Sequence, residues 1–252
     1  MSKPDDRAPV GIIGVGNMGG GMAANLLAQG WPVQVRDVDS VKEQNLKQIG
    51  AVNHARPAQL AINCDVVIVC VVDAAQTREV LFGAGGAAPA MRAGQTVMLC
   101  PTISPQDVEA LASGLAQRGI HVIDAPMSGG PARARDGSMS LMVAGADAVF
   151  EQHHALLQAL SSKLFRISQR PGDGARTKLV NNLLAGINLT GAAEVLALAA
   201  RMGLNLGTTL DVIEQSSGQS WIGSDRLRRA IAGDFAPRAH TTLLAKDTRL
   251  AL

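Results

Sequence analysis

The sequence predicts an α/β fold: a Rossmann-type, doubly wound parallel sheet, followed by a smaller all-α domain joined to it by one long interdomain helix. Three observations predict it. Short apolar runs alternate with helical periodicity through the first two thirds of the 252 residues. A G-x-G-x-x-G stands at the first strand-to-helix turn, and no strand pattern appears after Gly174. The expected boundary falls between residues 172 and 173, giving parts of 1–172 and 173–252.

Val10 to Ile13 reads as the first strand, and a helix running through Met22, Leu26 and Leu27 follows it. Between them lies Gly14-Val15-Gly16-Asn17-Met18-Gly19. Gly14 permits the tight turn, Gly16 lets backbone approach a pyrophosphate, and Gly19 lets helix and strand pack closely. Asn17 and Met18 open the helix, whose free N–H groups and positive dipole end favour phosphate. The second strand, Val33 to Val35, ends at Asp37, a carboxylate placed to accept from ribose hydroxyls. Residues 1–172 are therefore a dinucleotide-binding domain. Asp37 repels a 2′-phosphate, so NAD is expected, with NADP second and Arg36 the residue that weakens the preference.

Asp65 to Val72 is a continuous apolar run suited to a strand buried on both faces. Thr96–Cys100 and His121–Asp124 are further strands with a helix over 105–118 between them. Residues 139–144 and 164–167 are read as strands flanking a helix near 147–160. Ligands of such sheets bind at the strands' carboxyl ends, which here are Val72-Asp73, Pro101-Thr102 and Ala125 to Gly130. Ser128, Gly129 and Gly130 can aim a hydroxyl and consecutive N–H groups at one anion, although the same residues also make simple turns.

The long helix is expected from Gly172 to about Met202, proline-free and rich in Ala, Leu and Val. Lys178 and Asn182 stand four apart on one face, beside an apolar stripe of Leu179, Leu183 and Gly186. An ammonium and an amide there need polar partners; the plainer reading is a lysine reaching water beside a surface asparagine. Helical periodicity continues over 205–217 and 224–233.

A net charge of +2 without a basic block argues against nucleic acid, as do four Phe, two Trp and no Tyr. Met1 to Pro9 is polar, without the apolar core of a signal peptide. No apolar run is read as approaching the ~20 residues that span a bilayer, so no membrane partner is expected. Cys64, Cys70 and Cys100 sit in or beside strand-like runs and read as reduced cytoplasmic thiols. His153-His154, on an expected surface helix, has no partner at metal spacing, so no metal is expected. Arg226, Arg228 and Arg229 read as a solvated helix face, and Trp221 as a packing or pocket residue.

Five ordered motifs, covering almost the whole chain, resemble the β-hydroxyacid dehydrogenase family: GVGNMGGGMAANL at 14–26, PTISP at 101–105, DAPMSGG at 124–130, GARTKLVNN at 174–182 and KD at 246–247. That family includes 3-hydroxyisobutyrate dehydrogenase and tartronate semialdehyde reductase and is related to 6-phosphogluconate dehydrogenase. The resemblance implies that Lys178 is the catalytic lysine and Asn182 its companion at the substrate. It implies that Ser128, Gly129 and Gly130 hold the substrate carboxylate, that Val71, Val72 and Thr102 line the cofactor, and that Lys246 reaches it from the helical domain. The implied cytoplasmic enzyme is a homo-dimer or homo-tetramer. Its domain over 173–252 serves substrate and oligomerisation and stops short of the family's last helices.

Two departures from the family pattern stand out, one before the implied cofactor-contacting Thr102 and one, in the loop after Gly130, that bears on substrate. Pro101 replaces the family's usual Ser, and Pro131-Ala132-Arg133-Ala134-Arg135 differs from the Gly-containing segment of 3-hydroxyisobutyrate dehydrogenases. The expected reaction is hydride transfer between NAD and a small 3-hydroxy acid, 3-hydroxyisobutyrate-like, or its semialdehyde or keto product. A lysine serves as its acid/base when its surroundings bring its pKa near working pH. The alternatives are a sugar acid such as threonate, or a dinucleotide-binding sensor without turnover. Imine reductases share the architecture but, by the same resemblance, lack this lysine.

Overall fold

The computed structural model describes residues 7–236 and 241–251, so most of Met1–Pro9 lies outside the described residues. The chain divides into two compact units, Met1–Lys178 and Leu179–Leu252.

In the first unit the alternation expected from the sequence becomes β1 (Val10–Ile13), α1 (Asn17–Ala28), β2 (Val33–Arg36), α2 (Ser40–Gln48), β3 (Val52–Asn53), α3 (Pro57–Ala61) and β4 (Val66–Val69). It continues through α4 (Ala74–Phe82), β5 (Thr96–Leu99), α5 (Pro105–Ala116), β6 (His121–Asp124), β7 (Met127–Ser128) and α6 (Gly130–Asp136). The unit's remaining elements before the long helix are β8 (Met139–Ala144), α7 (Asp147–Gln152), α8 (His154–Leu160) and β9 (Ser161–Ser168).

The sheet order is β3-β2-β1-β4-β5-β6-β8-β7, with β9 beside β8. Strands β1 to β6 are parallel, and β1 pairs with β2 on one side and β4 on the other. The direction of winding therefore reverses between β1 and β4, which opens a crevice at their carboxyl ends. The sheet is not parallel throughout, because β8 runs antiparallel to β6 and β7. The reason is local: Ala125-Pro126 ends β6, and the chain turns into the two-residue β7 before entering α6.

Strands β1, β4 and β5 are buried at every position. Their alternating side chains feed two cores. Val10, Ile12, Val66, Ile68 and Met98 meet Met22 and Leu26 of α1, while Ile13, Val67, Val69, Val97 and Leu99 meet Leu111 and Leu115 of α5. Helices lie against both faces, as continuous apolar strands demand.

The helix expected over 147–160 breaks at His153. That residue is buried, not on the surface, and its Nε2 lies 2.8 Å from Thr96 Oγ1. Burial depresses the pKa of its imidazole. The thiols are free, and burial pushes those of Cys64 and Cys70 up to about 12 and that of Cys100 well above its ordinary value.

A 29-residue helix, α9 (Asp173–Arg201), crosses the division between the units. It is followed by α10 (Leu206–Glu214), α11 (Trp221–Ile231) and α12 (Thr241–Ala251). Asn205 caps α10 by accepting from the Thr208 N–H, and Ser220 caps α11 by accepting from Gly223. The arginines of α11 are ion-paired rather than simply solvated. Arg228 reaches Asp211 and Glu214 of α10, Arg229 meets Asp234, and Arg226 meets Asp225.

One expectation needs correcting. By length and composition α9 is apolar enough to cross a membrane, and only 6% of its most apolar 18-residue window is buried. Counting uninterrupted apolar runs missed it, because Asn181, Asn182, Asn188, Thr190 and Glu194 dilute the stretch.

Candidate active site

The first site element is the turn after β1. Gly14 has φ +89°, and a Cβ there would stand 2.6 Å from the Cys70 carbonyl and 3.0 Å from Val71 Cγ1. A Cβ on Gly19 would stand 1.9 Å from the Gly14 carbonyl oxygen, so turn and helix can close only on glycine. Gly16 differs, with nothing within 4 Å of where its Cβ would be. It is also the N-cap of α1 and supplies no side-chain acceptor to the helix N–H groups. Open space in front of uncapped N–H donors at Asn17 and Met18 fits a pyrophosphate.

Asp37, just past β2, closes the loop from the other side. Its Oδ2 accepts from the Val15 N–H at 2.6 Å and its Oδ1 from the Asp39 N–H at 2.9 Å. A carboxylate offers about four lone-pair sites, so acceptance from a ribose hydroxyl remains open to it. Arg36 pairs with Glu43 at 3.2 Å, and that carboxylate also accepts from the Asp37 N–H at 2.8 Å. Val71 follows β4 beside Gly14, and Val72 is half exposed with its N–H donating to Gln76 Oε1 at 3.1 Å. Thr102 follows buried Pro101, two residues before Ser104, the cap of α5.

The second element joins Ser128 to Lys178. Lys178 is only 8% exposed, and its Nζ donates to Ser128 Oγ at 2.8 Å across fifty residues of sequence. This excludes the reading of a lysine reaching out to water. Gly129 and Gly130 have φ of +135° and +74°, a left-handed succession that side chains rarely adopt, and a Cβ at Gly130 would meet nothing within 4 Å. Helix α6 begins here and packs on α1. At the contact, a Cβ on Gly21 would stand 2.9 Å from Ala134 Cβ and 3.1 Å from the Arg135 nitrogen. Helices α6 and α1 are thus in backbone-close contact.

Asn182 lies one turn beyond Lys178 and belongs to the second unit. There its Nδ2 donates to Asp247 Oδ2 at 2.7 Å. Asp247 is buried, and its Oδ1 has Lys246 Nζ at 3.4 Å. Among the described residues no group of three or more His, Cys, Asp or Glu side chains could hold a metal ion.

Two family descriptions match this chain. The NAD binding domain of 6-phosphogluconate dehydrogenase matches residues 9–168. The NAD-binding domain of NADP-dependent 3-hydroxyisobutyrate dehydrogenase matches residues 172–252. The chain belongs to the β-hydroxyacid dehydrogenase family. Relatives in this family include an L-threonate dehydrogenase of Cupriavidus necator, 39% identical over 96% of this chain and 82% of its own. The crystal structure of 3-hydroxyisobutyrate dehydrogenase from Salmonella typhimurium superposes with a TM-score of 0.88 at 37% identity, covering 97% of this chain and 85% of that one. Psf3 in complex with NADP+ and 2-OPP superposes with a TM-score of 0.90 at 30% identity, covering 96% and 85%. The protein is therefore an NAD(P)-dependent dehydrogenase of the β-hydroxyacid class, and its cofactor fits the glycine turn described above.

Two carboxylates near the expected residues had no role in the sequence reading. Asp124, at the end of β6, is 1% exposed, and burial pushes its carboxyl up to about 6 despite backbone N–H bonds from Gly172, Gly174 and Ala175. Asp247 holds Asn182. An acid closing an otherwise apolar strand, and one beside Lys246, were the available signals.

Proposed function

We propose that the protein oxidises a small hydroxy acid with Lys178 as general base, and as general acid in the reverse direction. A polyhydroxylated sugar acid such as threonate stands ahead of 3-hydroxyisobutyrate as substrate. The observation that carries the reading is the buried Lys178–Ser128 hydrogen bond. It puts an amine beside the loop assigned to the substrate carboxylate, within reach of the neighbouring hydroxyl. NAD, when bound, takes up the hydride. Ser128 with Gly129 and Gly130 anchors the carboxylate and so fixes which carbon lies at the nicotinamide. Lys178 removes the hydroxyl proton, and Asn182, oriented by Asp247, hydrogen-bonds the reacting oxygen. Positioning of this kind is worth several kcal/mol of barrier.

The sugar-acid preference is supported by Arg133 and Arg135 after the anchor loop and by the likeness to L-threonate dehydrogenase. Val71, Val72, Thr102 and, from residues 173–252, Lys246 are assigned to the cofactor. NAD is preferred over NADP, supported by Asp37 and by the engagement of Arg36 with Glu43. A cytoplasmic location is supported by the three free cysteines. We further infer a homo-dimer or homo-tetramer. It is supported by the exposed stripe of Val180, Leu184, Ile187, Val195, Leu198 and Met202 along α9, an apolar patch of the sort that marks interfaces.

Lys178→Met tests the centre of the proposal. Turnover in a panel containing L-threonate and 3-hydroxyisobutyrate should fall by about 10²–10⁴, the usual contribution of a positioned acid/base, with NADH affinity unchanged. Near-parental turnover would refute the assignment. Ser128→Ala should chiefly raise KM, by roughly 10- to 100-fold for a lost bond to a charged group of about 1.5–3 kcal/mol. Unaltered kinetics on every acid in the panel would remove the loop as the anchor.

A further inference from the structure

The Lys178–Ser128 contact joins two chain segments that meet a second time, four residues earlier on each. Asp124 precedes Ser128 by four residues, and Gly174 precedes Lys178 by four. At this second meeting, Asp124 Oδ2 accepts the N–H of Gly172 at 2.8 Å and that of Ala175 at 3.1 Å, with the Gly174 N–H a third donor. A Cβ on Gly174 would stand 2.9 Å from Asp124 Oδ2 and 2.8 Å from the Met142 carbonyl oxygen, so the helix start is pressed against the end of β6. The result is a closed ring: β6 end, Ser128, Lys178, first turn of α9, and back to Asp124.

We propose that Asp124 is a positioning residue for Lys178: it clamps the first turn of α9 to the end of β6 and so fixes how the Lys178 amine meets Ser128. The inference rests on Lys178 being the acid/base. A helix N-cap needs only a half-exposed Ser, Thr, Asp or Asn. This carboxylate is instead fully buried beside Cys100 and Asp173, an environment that disfavours its charge. A group kept where its charge is disfavoured, at the base of the turn that carries the lysine, serves geometry more than stability.

Four variants test this in the intact protein. Measured on L-threonate and 3-hydroxyisobutyrate, Asp124→Ala should lower kcat on the order of 10²-fold, the cost of misplacing a reacting group by about 1 Å. Gly174→Ala, which pushes the same turn off the carboxylate from the other side, should do likewise. In both, KM and the NADH dissociation constant should stay within about twofold, since neither the anchor loop nor the glycine turn is altered. Asp124→Asn keeps an acceptor oxygen and should recover kcat to within about fivefold, one weakened hydrogen bond.

Lys178→Met runs in the same assay. If it is inactive while Asp124→Ala and Gly174→Ala turn over normally, the positioning role is overturned and the lysine assignment stands. If Lys178→Met itself is active, the lysine assignment falls and the positioning role with it. Parallel losses of kcat, NADH affinity and melting temperature in Gly174→Ala and Asp124→Asn would reduce Asp124 to a plain structural cap. Should Asp124→Ala fail to fold, that second pair decides the matter.

Discussion

In the sheet unit β1, β4 and β5 are buried along their whole length, whereas α9 buries 6% of its most apolar window. Both stretches are apolar, yet they complete their burial differently. A strand in a parallel sheet is covered on both faces by helices from its own chain. A long helix has more perimeter than three short neighbours can cover. The stripe left open follows helical spacing, with Val180, Leu184, Ile187, Val195, Leu198 and Met202 exposed and Gly191 continuing the row. Polar Asn181, Asn188 and Glu194 interrupt the surrounding surface, which suits a protein partner better than lipid. The sheet unit thus buries its apolar strands within its own chain, while the helical unit leaves an apolar stripe of α9 exposed.

The strongest way to break this contrast is to charge the stripe. Leu184→Asp with Ile187→Asp should convert the assembled parent to monomers by light scattering, leaving NADH affinity in the sheet unit intact. A monomeric parent, or variants that stay assembled, would end the interface reading.

The next expected effect probes Asp124, the one buried acid among the described residues of the sheet unit, in a titration between pH 4 and 7. The folded pKa of Asp124, about 6, lies above the ordinary 3.8. Its contribution to stability is therefore fully present below about 3.8 and is lost as pH rises through about 6, a difference of about 3 kcal/mol. Asp124→Asn lacks this titration. Urea denaturation of the two proteins between pH 4 and 7 should show the stability gap moving in favour of the variant as pH rises. A constant gap would contradict the burial argument. A variant more stable at neutral pH yet slower would be a stability–activity trade-off at this position.

The smallest effect sharpens the claim that the glycine turn is closed to side chains. Gly19→Ala puts a methyl 1.9 Å from the Gly14 carbonyl oxygen. Overpacking costs typically about 1–3 kcal/mol, so if the strain falls on the cofactor turn NADH affinity should fall by about 5- to 150-fold in a fluorescence titration. Unchanged affinity would mean that the turn is more yielding than its geometry indicates.

Local pattern carried much of the fold into the sequence. Val10–Ile13 followed by glycines, and the unbroken run containing Val66–Val69, are strands whose burial is written in consecutive residues. The 29 residues of α9 are legible for a different reason, a long proline-free stretch rich in Ala, Leu and Val. Short or partner-dependent elements were not legible. The two-residue β7 exists only because β8 pairs with it, and the break at His153 reflects a bond to Thr96, fifty-seven residues away. The site divided in the same way. Gly14, Gly16 and Gly19 announce their turn, while Ser128 and Lys178 stand out by their places in the chain and take a role only through the family resemblance. The partners of Asp124 and of Asn182 lie 48 to 65 residues off, and nothing local points to them.

The contact of Gly21 with Ala134 bears on how new specificity can arise in this scaffold. Any side chain at position 21, or a bulkier one at 134, wedges α6 away from α1 and drags Gly130 with it. Ala132 and Arg135 are exposed, whereas Arg133, also exposed, lies against Gly129, where a Cβ would stand 2.9 Å from Arg133 Cβ. A library built to retarget the enzyme should therefore randomise positions 132 and 135 and hold 21, 133 and 134 fixed. Outward side chains can then change one by one, while the glycine turn before α1 and the Ser128–Gly130 loop before α6 keep one shared backbone frame.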